Sequence, residues 1–240
     1  MKTDILGVGF DTLSPEEMVH TAASLIEAGG FHYAVTPNPE FLLAAQKNEA
    51  FRTVLNQADL SMPDGIGVVY ASKILGRPLN GRVPGIDFAD GLMAWMAQHG
   101  KRLFLLGSKP GIAEMASVNL RQRHPGLTVC GTHDGYFKED APVIQAVREA
   151  EPDVVLVCLG APKQELWMAQ NGPATGAKFM VGLGGALDVF AGQTERAPEA
   201  WQKAGMEWLY RLIKDPKRIN RMAKLPLVLF QAAGARLRGK

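Results

Sequence analysis

The chain has 240 residues, 47% hydrophobic and 21% charged, at a formal net charge of +2, a balance that buries a core and excludes a disordered polar chain. No run of 18 apolar residues offers a membrane span, and the acid in Met1-Lys2-Thr3-Asp4-Ile5 reads against a signal peptide. Cys130 and Cys158, each in an apolar stretch, read as buried thiols of a reducing cytoplasm rather than a disulfide or a metal site.

Strand and helix signals alternate from the start. Residues 5–9 read as a short strand. Ser14 caps a helix to about residue 29, with Pro15 at its first position and Glu17 at the capping-box spacing. A strand over 31–36 precedes a helix over 38–47, and a strand over 58–62 precedes a helix over 65–74. A Gly/Pro/Arg-rich loop (76–85) leads to a helix over 87–99. Next come a strand over 102–106, the turn Gly107-Ser108-Lys109-Pro110-Gly111 and a helix to about residue 123. A strand over 127–130, the loop Asp134-Gly135-Tyr136-Phe137 and a helix from 141 follow. The uninterrupted apolar run 153–159 reads as a central parallel strand, turning through Gly160-Ala161-Pro162-Lys163-Gln164-Glu165 into a helix. A strand over 178–183 closes on Gly184-Gly185. The series predicts an α/β fold with a doubly wound, mostly parallel sheet. It is Rossmann-like in its C-terminal half, with a smaller α/β N-terminal part.

Residues 196–240 differ in kind. They hold eleven Lys/Arg against three acids, a charge of +8, which leaves −6 on residues 1–195. The chain therefore reads as an α/β core over 1–195 and a basic helical appendage over 196–240. A basic end on an acidic body points to a polyanion: nucleic acid, a membrane surface or a phosphate-rich substrate. Trp201, Trp208 and the 225–230 apolar run interleave with Lys and Arg as in an interfacial helix, or as in a packed helix with a solvated basic face.

Two segments carry candidate chemistry. Met62-Pro63-Asp64-Gly65-Ile66-Gly67 places one carboxylate at a turn after a strand, with glycines that permit close approach of a ligand. Val35-Thr36-Pro37-Asn38-Pro39-Glu40 leaves another strand in the same way. In open α/β sheets ligands bind at such strand ends. Either segment alone also reads as a plain capped turn, Asn38 as N-cap and Pro39 at the first helical position. The five histidines have no ligand spacing, and the chain lacks H-E-x-x-H, Asp-x-Asp and the P-loop pattern. Gly182-Leu183-Gly184-Gly185-Ala186-Leu187 is a partial dinucleotide fingerprint only. What remains suits metal-free group transfer from an anionic donor. Asp64 would take a proton from an incoming hydroxyl, and helix starts and arginines would hold the leaving group.

Thr36-Pro-Asn-Pro-Glu40, Met62-Pro-Asp-Gly-Ile-Gly67, Gly81-Arg-Val-Pro-Gly-Ile-Asp87, Phe104-Leu-Leu-Gly107, Gly135-Tyr-Phe137, Gly160-Ala-Pro-Lys-Gln-Glu165 and Gly184-Gly-Ala-Leu-Asp-Val-Phe-Ala-Gly192 occur in that order. Arg196-Ala-Pro198, Glu207-Trp-Leu-Tyr-Arg211 and Pro216-x-Arg218 follow. Together they resemble the bacterial WecG/TagA/CpsF glycosyltransferases across nearly the whole chain. The resemblance implies an inverting, metal-independent enzyme with no cofactor beyond its UDP-sugar donor. It would move N-acetylmannosamine or its uronic acid to an undecaprenyl-diphosphate-linked sugar in cell-surface polymer synthesis. It implies Asp64 as base, with Thr36, Asn38 and Gln164 in the sugar pocket. Gly107, Tyr136 and Asp188 would lie near UDP, and Arg82 at the acceptor diphosphate. The appendage, with Arg211, Arg218 and Arg221, would dock to an anionic membrane at its cytoplasmic face and reach the site. Residues 225–240 match no motif of the resemblance. Transfer of another UDP-hexose to the same lipid is the alternative. A nucleic-acid-binding module and an NAD-dependent oxidoreductase are rivals from other classes.

Overall fold

The computed structural model describes residues 2–203, 206–214 and 224–238, and only the backbone of 199, 203 and 211. The chain opens with a hairpin, not the single strand read over 5–9. Strands β1 (Lys2–Ile5) and β2 (Val8–Asp11) pair antiparallel as a separate two-stranded sheet. Leu6 and Gly7 turn between them at φ 54° and 90°, the positive-φ pair that fits a two-residue hairpin loop. A leucine in that conformation gives no sequence signal.

Helix α1 (Pro15–Ala28) starts with the expected capping box. Ser14 Oγ accepts from Glu17 N–H at 3.2 Å, and Glu17 Oε2 accepts from Ser14 N–H at 2.7 Å. Then come β3 (His32–Val35), α2 (Pro39–Lys47), α3 (Glu49–Gln57) and β4 (Leu60–Ser61). Helix α3 is absent from the sequence reading. Asn48 ends α2 and also caps α3, accepting from Phe51 N–H at 3.0 Å. One shared residue leaves no Gly or Pro to mark the boundary.

The remaining core alternates α4 (Ile66–Ile74), α5 (Gly85–Gln98), β5 (Arg102–Gly107), α6 (Ile112–Arg123), β6 (Thr128–His133), α7 (Asp140–Glu149), β7 (Val154–Cys158), α8 (Lys163–Thr175), β8 (Phe179–Gly182) and α9 (Ala186–Phe190). The C-terminal part holds α10 (Glu199–Lys203), α11 (Glu207–Lys214) and α12 (Lys224–Leu237).

The main sheet has order β4-β3-β8-β7-β5-β6, all parallel. Its central strands β5, β7 and β8 are buried on both faces and read as continuous apolar runs, while the edge strand β6 is only half-buried. Leu103, Leu105, Val154, Leu156, Phe179 and Val181 pack on one side with α1, α5, α6 and α9. Phe104, Leu106, Val155, Val157 and Met180 pack on the other with α2, α3, α4, α7, α8 and α12. The chain winds outward from β3 to β4 and from β5 to β6, then fills the middle with β7 and β8. The carboxyl ends of these central strands therefore open on one crevice, where ligands bind in such sheets.

Helix α12 lies on α2 and α4 and buries Val228 and Ala232. A Cβ on Gly67 would sit 2.2 Å from Leu225 Cδ1 and 2.8 Å from Pro39 Cγ. The close approach that Gly67 permits is therefore by its own chain, not by the ligand that the sequence reading expects.

Candidate active site

The turns after β3 and β4 leave the sheet as a pair. Met62 N–H donates to Val35 O at 2.9 Å, and Asp64 N–H donates to Pro37 O at 3.1 Å. Asn38 sits beside Asp64 as the N-cap of α2, its Oδ1 accepting from Glu40 N–H at 2.8 Å and Phe41 N–H at 3.3 Å. The Thr36 hydroxyl donates to Gly182 O at 2.9 Å, tying β3 to β8.

Asp64 stands where two cavities meet, of about 950 Å³ and about 620 Å³. Both are lined by Thr36, Asp64, Leu183, Gly185 and Asp188. The larger extends to Asn38, Ser108, Tyr136, Gly160 and Gln164, with Lys109, Lys163 and Lys224 on its walls. The smaller extends to Arg82, Gly85, Gln193, Tyr210 and Lys214.

Asp64 Oδ1 accepts from Arg82 Nε at 3.4 Å and Nη2 at 3.3 Å, and Oδ2 accepts from Gly85 N–H at 3.4 Å. These are long contacts, so acceptor capacity remains on both oxygens. Arg82 makes its shorter bond elsewhere, Nη1 to Glu207 Oε2 at 2.9 Å. Burial works against the Arg82 charge, but Asp64 and Glu207 outweigh burial and hold the guanidinium protonated. Arg196 pairs with Asp87 through two bonds, 2.5 and 2.7 Å.

On the opposite wall, Ser108 Oγ donates to Asp188 Oδ2 at 2.9 Å. Gly107 takes φ 130°, and a Cβ there would lie 2.3 Å from Cys158 O. No side chain fits at Gly107, and Ser108 rather than Gly107 lines the cavity. Tyr136 is 70% exposed at the mouth. Lys163 Nζ lies 4.3 Å from the centre of the Phe137 ring.

Gln164 is a buried staple. Its Oε1 accepts from Gly160 N–H at 3.1 Å and Gly184 N–H at 3.0 Å, and its Nε2 donates to Glu165 Oε1 at 2.6 Å. Burial pushes the Glu165 carboxyl up to about 7 against the pull of the Gln164 bond. Its Oε2 has no hydrogen-bond partner among the described residues.

The fold thus brings together Thr36, Asn38, Asp64, Arg82, Tyr136, Gln164 and Asp188. Arg218, Arg221 and the side chain of Arg211 lie outside the described residues. The sequence assigns no side-chain role to Ser108, Lys163, Glu165 or Glu207. Lys163 and Glu165 flank Gln164 in one motif, Glu207 opens the motif that ends on Arg211, and Ser108 directly follows the Phe104–Gly107 motif. Glu207 meets Arg82 across 125 positions, a pairing without a local signal. Among the described residues, no three His, Cys, Asp or Glu side chains gather as a metal site.

Residues 3–240 match the family described as Glycosyl transferase WecG/TagA/CpsF family. Similar curated proteins include the N-acetylglucosaminyldiphosphoundecaprenol N-acetyl-beta-D-mannosaminyltransferases of Staphylococcus aureus strains MRSA252, MW2 and NCTC 8325 / PS 47. Each is 35% identical over 237 residues, 98% of this chain and 93% of the relative.

Proposed function

Because the chain belongs to the WecG/TagA/CpsF family of glycosyl transferases, we propose that it moves N-acetylmannosamine from UDP to undecaprenyl-diphosphate-linked N-acetylglucosamine. The reaction inverts the anomeric carbon and uses no metal ion. The observation that carries the reading is Asp64, loosely held at the meeting of two cavities. One cavity would admit each substrate.

In this reading the donor occupies the larger cavity, with UDP near Tyr136, Ser108 and Asp188. The acceptor hydroxyl arrives through the smaller one. Asp64 takes the hydroxyl proton as that oxygen bonds to C1 of the sugar. The bond from C1 to the diphosphate oxygen breaks, and UDP leaves with the electron pair. Attack from the side opposite UDP inverts C1. Lys109, Lys163 and Lys224 line the donor cavity and meet charge as it develops on the diphosphate. Arg211, Arg218 and Arg221 are proposed to add to them.

The test supplies UDP-N-acetylmannosamine and a short-chain polyprenyl-diphosphate-linked N-acetylglucosamine. A product heavier by one N-acetylhexosamine is expected, at an unchanged rate in EDTA. No product from this donor would overturn the donor assignment. A rate abolished by chelator and restored by Mg²⁺ would overturn the metal-free step.

The lipid acceptor calls for a docking surface, and we place it on the C-terminal helices at the cytoplasmic face of the membrane. No described helix is long and apolar enough to cross a bilayer. Helix α12 instead exposes Leu227, Phe230 and Leu237 (49%, 76% and 89%) along one stripe, opposite buried Val228 and Ala232. Arg236 and Arg238 flank the stripe, the composition of an interfacial helix. Phe230→Glu with Leu237→Glu should weaken flotation with phosphatidylglycerol vesicles on the order of tenfold or more. Unchanged flotation would remove α12 as the contact.

A further inference from the structure

The structure points to a role for Glu165 that rests on the transfer reaction proposed above. We propose that Glu165 is a positioning residue: acting through Gln164, it sets the spacing of the two glycine turns that wall the donor cavity. Glu165 is fully buried and does not line that cavity, whereas Gln164, Gly160 and Gly184 do.

The Gln164 amide can turn either its oxygen or its nitrogen toward a neighbour, and its partners decide which. Gly160 N–H, after β7, and Gly184 N–H, after β8, both point at one end of it. Two donors demand the oxygen there. The NH₂ end is then forced into the protein, where Gln164 is only 2% exposed and Glu165 Oε1 accepts from it at 2.6 Å. A flipped amide would set its NH₂ against both glycine donors and its oxygen against the Glu165 carboxylate. The two glycine donors thus set the orientation, and Glu165 supplies the acceptor that the buried NH₂ end then requires. Losing that acceptor would strand a buried NH₂ group and loosen the amide's hold on both turns.

Gly182 fits the same device. A Cβ there would lie 2.7 Å from Gln164 Nε2 and 3.1 Å from Glu165 Oε1, so the pair occupies the space a side chain would need. The first glycine of the partial dinucleotide fingerprint therefore makes room for this pair. The carbonyl of Gly182 also accepts from Thr36 Oγ1, which carries the arrangement to a residue lining both cavities.

A double-mutant cycle on the full chain tests the link, with melting curves confirming that each variant folds. Glu165→Leu should lower kcat/KM about 10²-fold, the scale of a sub-ångström to ångström misplacement at a site. It should also speed amide hydrogen exchange at Gly160 and Gly184. Glu165→Gln keeps an acceptor oxygen and should stay within about threefold of wild type. Gln164→Leu should lose a similar factor, and adding Glu165→Leu to it should lose no more. If Glu165→Leu does not fold, the more pliable Glu165→Met replaces it. Additive losses, unchanged exchange at both glycines, or a Gln variant as impaired as the Leu variant would overturn the proposal. So would altered exchange with undiminished transfer. A wild type inert toward UDP-N-acetylmannosamine would remove the donor assignment, and the exchange arm would still decide the Glu165–Gln164 link.

Discussion

Asp64→Asn is expected to slow sugar transfer by about 10²–10⁴-fold, the usual cost of losing a general base, while fold and UDP binding persist. Asparagine has the same shape and keeps one acceptor oxygen for Arg82 or the Gly85 N–H. What it loses is the capacity to take up the acceptor's proton. Arg82 stays anchored by its 2.9 Å bond to Glu207, so the wall of the smaller cavity should not collapse. The damage should fall on kcat, with UDP affinity by calorimetry unchanged and melting within about 1 kcal/mol of wild type, as for a substitution away from the core. Turnover near the wild-type rate would remove Asp64 as the base. Equal loss of UDP affinity and turnover would make it a binding residue.

The sequence exposes the frame of this site well and its wiring poorly. Strands with both faces buried announce themselves as apolar runs, and Ser14, Asn38, Pro15 and Pro39 mark helix starts by capping chemistry. Those signals are local, and they place Thr36, Asn38 and Asp64 at strand ends. Leu6 and Gly7 hide a hairpin because a positive φ at leucine has no sequence mark. Asn48 hides a boundary because one residue serves two helices. The connections that orient the site are longer. Glu207 reaches Arg82, Ser108 reaches Asp188 and Gln164 reaches Gly184, across 125, 80 and 20 positions. The last two are set by the winding of the sheet and the first by where α11 lies on the core, neither of which a local pattern encodes. Gly67 shows the converse. Its glycine signal is real, but the group that comes close is Leu225 of the C-terminal helix.

Stability should fall as pH rises from about 5 to about 8, and Glu165→Gln should abolish much of that fall. The folded chain holds the Glu165 proton up to about 7, against an ordinary value of 4.5, because the carboxyl is buried. Below 4.5 the proton is bound in both folded and unfolded chains, and the group costs nothing. Between 4.5 and 7 the unfolded chain releases it while the folded chain retains it, so rising pH favours unfolding. Above 7 the full cost stands, on the order of 3 kcal/mol. Glutamine cannot ionise and carries no such cost, although its NH₂ must sit where Oε2 now lacks a partner, a penalty of about 1–3 kcal/mol at every pH. The difference between the two proteins, rather than either curve alone, isolates Glu165, because all other titrating groups are common to both. Denaturant melts at about pH 5 and about pH 8 measure it. The variant should gain on wild type by about 2.5 kcal/mol between those pH values, because part of the cost is already present at about pH 5. A constant difference would mean that the buried carboxyl does not change its proton in this range. The geometry explains why so costly a group is retained: Gln164 needs an acceptor behind it, and a carboxyl, protonated or ionised, always offers one.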